Sequence, residues 1–158
     1  YGIIPVRNVR ENITLARLEE FIYKGRLHRK KEREAVNNKC QEMNIKTPTT
    51  ETEISALSGG NQQKVVLAKW MVNSPDILLL DEPTRGIDVG AKNEIYKLLN
   101  DLAAQGKSII MISSELPEIL RMSHRIVVMC EGRITGELNG DRASQEDIMR
   151  LATKRQVG

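Results

Sequence analysis

The chain has 158 residues, of which 40% are hydrophobic and 28% are charged, and its formal net charge is +3. This composition is typical of one globular domain and excludes a disordered chain, and so small a net charge gives no electrostatic reason to expect nucleic acid as a partner. The sequence has no apolar run of about 18 residues and no signal-peptide pattern, so we expect a cytosolic protein.

The cysteines and the most basic segment point to no special chemistry. Cys40 and Cys130 lie in unrelated apolar contexts without metal-binding spacing, which predicts buried thiols rather than a disulfide or a zinc site. The run KGRLHRKKER from Lys24 to Arg33 is interpreted as a solvated helix face or loop, with a polyanion-binding site as the alternative. Because the first residue is Tyr1 rather than Met, we expect a piece of a longer protein.

The first third of the chain predicts a small helical region. Apolar residues recur at helical spacing over Val9–Tyr23 and again over Arg29–Met43, which indicates two amphipathic helices. A Thr-rich segment without periodicity follows and predicts a loop. We therefore expect residues 1–56 to form part of a helical subdomain with its connecting loop.

Residues 57–158 predict an α/β core. A helix begins at LSGGNQQKV and stops before Pro75, and the wholly apolar Ile77–Leu80 predicts a parallel strand buried on both faces. Apolar spacing over Asp88–Gln105 predicts a helix that Gly106 ends. The remaining predictions are a strand at Ser108–Ile112, a short helix at Pro117, a hairpin of Arg125–Cys130 with Arg133–Leu138, and a helix from Ser144. This order favours a mainly parallel sheet.

The string LSGGNQQ, residues 57–63, places two glycines at a helix start. Glycines let the backbone approach an anion closely, and the free N–H groups and the helix dipole favour phosphate oxygens there. Ser58 adds a hydroxyl donor. On these residues alone, a flexible loop with an ordinary helix cap is an equal alternative.

The string ILLLDEP, residues 77–83, places two carboxylates at the end of a strand. Ligands of open α/β sheets bind at the carboxyl ends of the strands, where Asp81 can hold Mg²⁺ directly or through water. Glu82 is then placed to orient or deprotonate an attacking water. The alternative is a strand that merely runs into a charged turn.

Together, LSGGNQQ and LLLDEPTRGID resemble the signature motif, the Walker B motif and the D-loop of ABC ATPases, in the same order and spacing. The strings GNQQKV, DEPTRGIDVGAK and SSELPE are similar to those of ribose- and galactose-class monosaccharide importers and their nucleoside-importing relatives. The resemblance extends from Glu11 to the terminal helix. It implies a P-loop NTPase-like fold with a small helical subdomain, here the C-terminal part of the second of two fused nucleotide-binding domains.

The resemblance also implies roles for individual residues, with ATP and Mg²⁺ as substrate and cofactor. Glu82 would be catalytic and Asp81 would hold Mg²⁺, while Asp88 belongs to the D-loop. Ser114 occupies the switch position, where most ABC ATPases have a histidine that contacts the γ-phosphate, so we expect hydrolysis at the site containing Glu82 to be weakened. The ATP held by the other domain would be bound in trans by Ser58, Gly59, Gly60 and Gln62.

One expected motif is absent from the chain: no G-x-x-x-x-G-K-[ST] occurs. Gly106-Lys107-Ser108 imitates its end, but the strand follows the lysine instead of preceding it, so we interpret this segment as a helix stop and a turn. The sheet should therefore lack the P-loop strand. We expect the isolated chain to be inactive and to self-associate through the opened sheet edge.

The resemblance implies a transport-coupled ATPase that energises sugar import. Its expected partners are the first nucleotide-binding domain of the same polypeptide, membrane permease subunits and, indirectly, a periplasmic or lipoprotein sugar-binding protein, with no nucleic acid. Its expected place is the inner face of the cell membrane. Two alternatives stay open: a soluble ABC ATPase without a transport function, and a non-catalytic interaction module.

Overall fold

The computed structural model describes residues 2–154, and the chain forms two compact units, Tyr1–Ile110 and Met111–Gly158. The described strands form three two-stranded sheets, β1-β2, β3-β4 and β5-β6, instead of the one mainly parallel sheet that the sequence predicts, and the first and third of them are antiparallel. The domain boundary expected between residues 56 and 57 stays a prediction. None of the helices in residues 2–154 is long and apolar enough to cross a membrane.

The first helix is shorter than its apolar pattern predicts. Helix α1, Val9–Thr14, starts with a capping box in which Asn8 and Glu11 exchange side-chain and backbone hydrogen bonds. The chain continues as a 3₁₀ helix, Leu15–Phe21, which is interrupted by a non-helical residue, Arg17. The predicted helix is therefore wrong beyond Thr14.

A small hairpin occupies the place of the expected helix end. Strands β1, Ile22–Tyr23, and β2, Arg26–Leu27, pair antiparallel. Lys24 and Gly25 between them have φ values of 49° and 74°, the left-handed conformation that a tight two-residue hairpin turn requires. Local turn geometry thus overrides helical periodicity here.

The second predicted helix is confirmed as α2, Arg29–Glu42, which buries Val36 and Cys40. Burial raises the pKa of the Cys40 thiol to about 11, so this cysteine is an unreactive apolar side chain. Cys130 is a free thiol that is only half-buried, so the prediction of a buried thiol is not met at this position. Most side chains of the basic run from Lys24 to Arg33 are exposed, as expected of a solvated face, although Glu32 within it is buried.

Glu32 belongs to a buried charge network that fastens α1 to α2. Arg10 Nη1 donates to Glu32 Oε1 at 2.9 Å, and Arg10 Nε donates to Glu51 Oε1 at 2.9 Å. The Thr14 hydroxyl donates to Glu32 Oε1 at 2.9 Å. The hydrogen bond to Glu51 is the main cause that raises the pKa of Arg10, so the guanidinium stays charged although its side chain is only 6% exposed.

The elements from α3 to β4 follow, and the boundary between the two units falls within β4, after Ile110. Helix α3, Gly59–Met71, is followed by strand β3, Ile77–Asp81, and helix α4, Val89–Ala104, leads to strand β4, Ser108–Ile112. The predicted helix stop is confirmed, since Gly106 has a φ of 90°. The buried faces of α3 and α4 are formed by Val65, Leu67, Ala68 and Met71 and by Ile95, Tyr96, Leu99 and Leu102.

Strand β3 is buried on one face only, which corrects the expectation of two buried faces. Leu78 is 4% exposed, whereas Ile77 and Leu79 are 61% and 73% exposed. Successive side chains of a strand point to opposite faces, and the described residues cover only the face of Leu78.

The second unit is a hairpin with two helices. Helix α5 is Leu116–Met122, strands β5 and β6 are Arg125–Cys130 and Arg133–Asn139, and α6 is Gln145–Ala152. The predicted hairpin turn is confirmed at Glu131-Gly132, which have φ values of 51° and 77°. The predicted capping box of Ser144 with Asp147 is also present. Ile126, Val128 and Ile148 form the core of this unit.

Candidate functional site

Ser58 sits at the start of α3 in an unusual way for a serine N-cap. It has the extended backbone of a cap residue, with φ −60° and ψ 154°, but its side chain makes no cap hydrogen bond to the helix. By contrast, the side chains of Asn8, Asp88 and Ser144 each accept from the backbone N–H three residues further on. The first N–H groups of α3 are therefore left without a side-chain cap from Ser58.

The Ser58 hydroxyl is held instead by the side chain of Asn61. Asn61 Nδ2 donates to Ser58 Oγ at 2.9 Å, and Asn61 Oδ1 accepts from the backbone N–H of Lys46 at 2.8 Å. Gln62 Nε2 donates to the carbonyl of Leu57 at 2.9 Å. Both amide side chains thus fix the loop that enters the helix.

The two glycines of the string have different surroundings. A Cβ added to Gly60 would lie 2.5 Å from the Cβ of Ala91, the third residue of α4. A Cβ added to Gly59 would meet only Ile87 Cγ2, at 3.4 Å. Gly60 is therefore required for the close approach of α3 to α4, in addition to any role in binding an anion.

The predicted catalytic pair follows β3. Asp81 is the exposed last residue of the strand, and Glu82 is half-buried with a φ of 47°. The backbone then turns, as Arg85 N donates to Glu82 O at 3.2 Å, and Thr84 is buried. A non-glycine residue in the left-handed region costs free energy, and such strain is found preferentially at functional sites.

Asp88 is placed as a structural cap. Its Oδ1 accepts from the backbone N–H of Ala91 at 2.9 Å, which fixes the first turn of α4. Ala91 is the residue that contacts Gly60, so the segment after β3 and the start of α3 meet at one point. The first unit brings together the residues expected in the signature motif and in the D-loop.

Ser114 lies in the second compact unit, between β4 and α5. It is exposed, and the neighbouring Ser113 Oγ accepts from the backbone N–H of Glu115 at 3.0 Å. Glu115 is the N-cap residue of α5, and its side chain makes no cap hydrogen bond to the start of that helix. The role of Ser114 at a switch position stays a prediction.

The sequence interpretation missed a buried lysine that anchors this region. The Lys64 side chain is 4% exposed, and its Nζ donates to Glu94 Oε2 at 2.7 Å and to Asn44 O at 2.9 Å. Lys46 Nζ lies 3.1 Å from Glu94 Oε1. The hydrogen bond from Lys64 is the main cause that holds the pKa of Glu94 below its ordinary value. The four-residue spacing of Gly60, Lys64 and Ala68, which share one buried face of α3, could have indicated that this lysine is buried.

A sequence profile of the family described as ABC transporter matches residues 2–85, just over half of the chain. A putative ribose/galactose/methyl galactoside import ATP-binding protein of Burkholderia ambifaria is 54% identical over 99% of this chain and 31% of its own length. The ribose import ATP-binding protein RbsA of Clostridium perfringens is 58% identical over 96% of this chain and 30% of its own length. The galactose/methyl galactoside import ATP-binding protein MglA of Clostridium tetani is 50% identical over 97% and 31%.

The expected resemblance to ribose- and galactose-class import proteins is confirmed by these relatives. The chain spans about a third of the length of the curated relatives it matches. The matches give the fraction of each relative that this chain covers, and they do not bear out the expected position in the C-terminal part of a second nucleotide-binding domain.

Among solved structures, the chain is similar to a dimeric ATP-binding cassette in a post-hydrolysis state bound to ADP and Pi, with a TM-score of 0.71 and 25% identity. The alignment covers 87% of this chain and 59% of that cassette. A dimeric structure of a bacterial ABC transporter cassette matches with the same values. The expected α/β fold of the P-loop NTPase-like ABC class is thereby confirmed.

Proposed function

Because this chain belongs to the ABC transporter family, we propose that it is part of the ATP-hydrolysing subunit that energises import of a sugar across a bacterial inner membrane. The relatives named for ribose and galactose import support the substrate class. The proposal rests on the contact between two helix starts. Gly60 lies at the start of α3, which Ser58 leaves without a side-chain cap, and it packs against Ala91 at the start of α4, the helix that follows β3.

The start of α3 is the proposed ATP-binding part of the chain. Its N–H groups and the positive end of the helix dipole suit the γ-phosphate of an ATP held by another nucleotide-binding domain. The Ser58 hydroxyl donates a hydrogen bond to that phosphate, and Gly59 and Gly60, which have no side chains, leave the backbone N–H groups accessible to it. Gln62 supports the loop from behind through Leu57 O. The likeness to dimeric cassettes supports an arrangement in which this site is completed in trans.

The end of β3 is the proposed catalytic part. Glu82 positions and deprotonates the attacking water, and Asp88 fixes the loop between the two parts. Asp81 fits Mg²⁺, which in nucleotide sites takes one or two protein carboxylates and completes its shell with phosphate oxygens and water. The described residues contain no cluster of three or more potential metal ligands. When bound, Mg²⁺ neutralises charge on the phosphates.

Ser114 is the proposed reason for a weak site at Glu82. A serine hydroxyl can donate a single hydrogen bond and carries no charge, whereas the histidine of most ABC ATPases can be cationic. We expect ATP bound next to Glu82 to be hydrolysed slowly. The ATP facing Ser58 would then support most of the transport.

The proposed partners follow from this role. Another nucleotide-binding domain of the same polypeptide supplies the P-loop that faces Ser58, and membrane permease subunits carry the sugar. A periplasmic or lipoprotein sugar-binding protein acts indirectly, through the permease. The proposed location is the cytoplasmic face of the inner membrane.

The test uses the full-length protein that contains this chain, assembled with its permease in vesicles, with ATP hydrolysis and uptake of ribose, galactose and a nucleoside measured together. Ser58→Ala removes a hydrogen bond to a charged phosphate, so both rates should fall by about tenfold to a hundredfold. Glu82→Gln should leave a substantial fraction of both rates. Glu34→Gln, at an exposed position of α2, is the matched control and should have no effect.

Three outcomes would contradict parts of the proposal. Hydrolysis that is independent of the permease and of any sugar would favour a soluble ATPase without a transport function. Unchanged rates in Ser58→Ala would remove the signature role. A loss in Glu82→Gln as severe as that in Ser58→Ala would show that the site next to Glu82 hydrolyses ATP efficiently despite Ser114.

A further inference from the structure

We propose that Asn61 is a positioning residue that orients the Ser58 hydroxyl so that its hydrogen points to the phosphate. The inference rests on the proposed function, because it concerns the same phosphate contact. Its basis is the pair of hydrogen bonds that Asn61 makes, to Ser58 Oγ at 2.9 Å and to the backbone of Lys46 at 2.8 Å.

The backbone N–H of Lys46 determines which way the Asn61 amide faces. An N–H group can only donate, so the side-chain atom of Asn61 that meets it must be the oxygen, Oδ1. The other end of the amide, facing Ser58, is then the NH₂ group. The orientation of this side chain is therefore fixed by chemistry and not only by fit.

The orientation of Asn61 also determines whether the Ser58 hydroxyl donates or accepts in their hydrogen bond. An NH₂ group can only donate, so Ser58 Oγ is the acceptor of the hydrogen bond from Asn61, and the hydroxyl hydrogen of Ser58 takes no part in this contact. Ser58 Oγ also makes no cap hydrogen bond to the backbone N–H groups at the start of α3. Its single hydrogen is left for an acceptor outside the described residues. A phosphate oxygen is such an acceptor, because it carries lone pairs and no hydrogen.

The anchor that orients Asn61 is itself held firmly. Lys46 is tied through its Nζ to Glu94 on α4, at 3.1 Å. Two residues earlier, the carbonyl of Asn44 accepts from the buried Lys64 of α3, at 2.9 Å. Ile45 between them is buried. The hydrogen bond from Lys64 therefore holds the segment that presents the Lys46 N–H against α3, and the solvent-exposed ion pair of Lys46 with Glu94 adds a weaker contact to α4.

The test is a double-mutant cycle of Asn61→Ala and Ser58→Ala in the full-length protein with its permease, with ATP hydrolysis as the readout. Asn61→Ala frees the Ser58 hydroxyl to rotate, so we expect a loss of about threefold to tenfold. Because Asn61 acts through Ser58, the double variant should hydrolyse ATP no more slowly than Ser58→Ala alone. Asn100→Ala, at an exposed position of α4, is the matched control and should leave hydrolysis unchanged.

The outcomes separate this inference from the proposed function. If Ser58→Ala lowers hydrolysis but Asn61→Ala does not, or if the two losses multiply in the double variant, Asn61 does not act through Ser58 and the inference fails alone. If neither variant changes hydrolysis, the inference and the proposed phosphate contact both fail. Thermal unfolding of the Asn61→Ala protein close to that of the parent excludes a loss caused by misfolding.

Discussion

Arg10 is held between two carboxylates, and the more exposed of them makes the network sensitive to pH. The hydrogen bond from Arg10 is the main cause that lowers the pKa of Glu51 below its ordinary value of 4.5. Arg33 Nε also lies 3.4 Å from Glu51 Oε1. A lowered pKa in the folded state means that ionised Glu51 stabilises the fold above its unfolded pKa, and that this contribution is lost as the pH falls through the folded pKa.

We predict that Glu51→Gln lowers the thermal midpoint of the chain most at about pH 7 and progressively less as the pH falls through the lowered pKa of Glu51, where the parent carboxylate becomes protonated. The measurement is thermal unfolding across this pH range. Glu53→Gln, an exposed neighbour, is the control and should follow the parent throughout. A deficit of Glu51→Gln that does not shrink on acidification would show that its charge is not the cause.

Individual motif residues could be predicted from the sequence, but their contacts could not. Ser58 and Asp88 occupy cap positions that their residue types indicate. The bond between Asn61 and Lys46 joins residues 15 positions apart, and that between Lys64 and Glu94 joins residues 30 apart. Such pairs depend on how the helices pack, which the spacing of apolar residues along one helix does not contain.

The contact between α3 and α4 depends on the absence of a side chain at Gly60. A methyl group there would lie 2.5 Å from Ala91 Cβ, far inside van der Waals contact. The neighbouring Gly59 has room for one, since its nearest atom would be Ile87 Cγ2 at 3.4 Å. Any substitution of Gly60 therefore changes helix packing together with the proposed contact to ATP.

We predict that Gly60→Ala destabilises the chain by about 1–3 kcal/mol, as expected of an overpacked contact. Gly59→Ala, which adds the same methyl group one residue earlier, should be neutral or slightly stabilising because alanine favours helices. Chemical denaturation measures both. The double variant Gly60→Ala/Ala91→Gly should recover part of the loss, and no recovery would show that the clash with Ala91 is not the cause.

The elements were predictable where a pattern had a clear start and stop. Asp88 and Gly106 delimit α4, and Glu131-Gly132 set the hairpin of β5 with β6. The helix predicted over Val9–Tyr23 failed because its weak periodicity could not compete with the turn at Lys24-Gly25. The predicted burial of Ile77–Leu80 failed because burial on a second face depends on what covers the sheet.

Taken as a molecule, the chain leaves large apolar side chains exposed on β3 and β5, including Leu79 and Met129. Exposed apolar sheet surface favours association, so self-association of the isolated chain stays a prediction with a physical basis. The sequence also contains no P-loop motif, so we expect phosphate binding by this chain to depend on a partner domain. The central claim is accordingly that the start of α3 completes an ATP site whose P-loop belongs to another domain.

The most direct test of this claim is vanadate-dependent photocleavage of the full-length protein. Vanadate trapped with ADP takes the place of the γ-phosphate, and near-ultraviolet light then cuts the polypeptide beside it, so mass spectrometry of the products locates the contact. The account predicts a cut at Ser58 that requires trapped nucleotide. Retention of ADP and vanadate with the chain intact at Ser58 would contradict it.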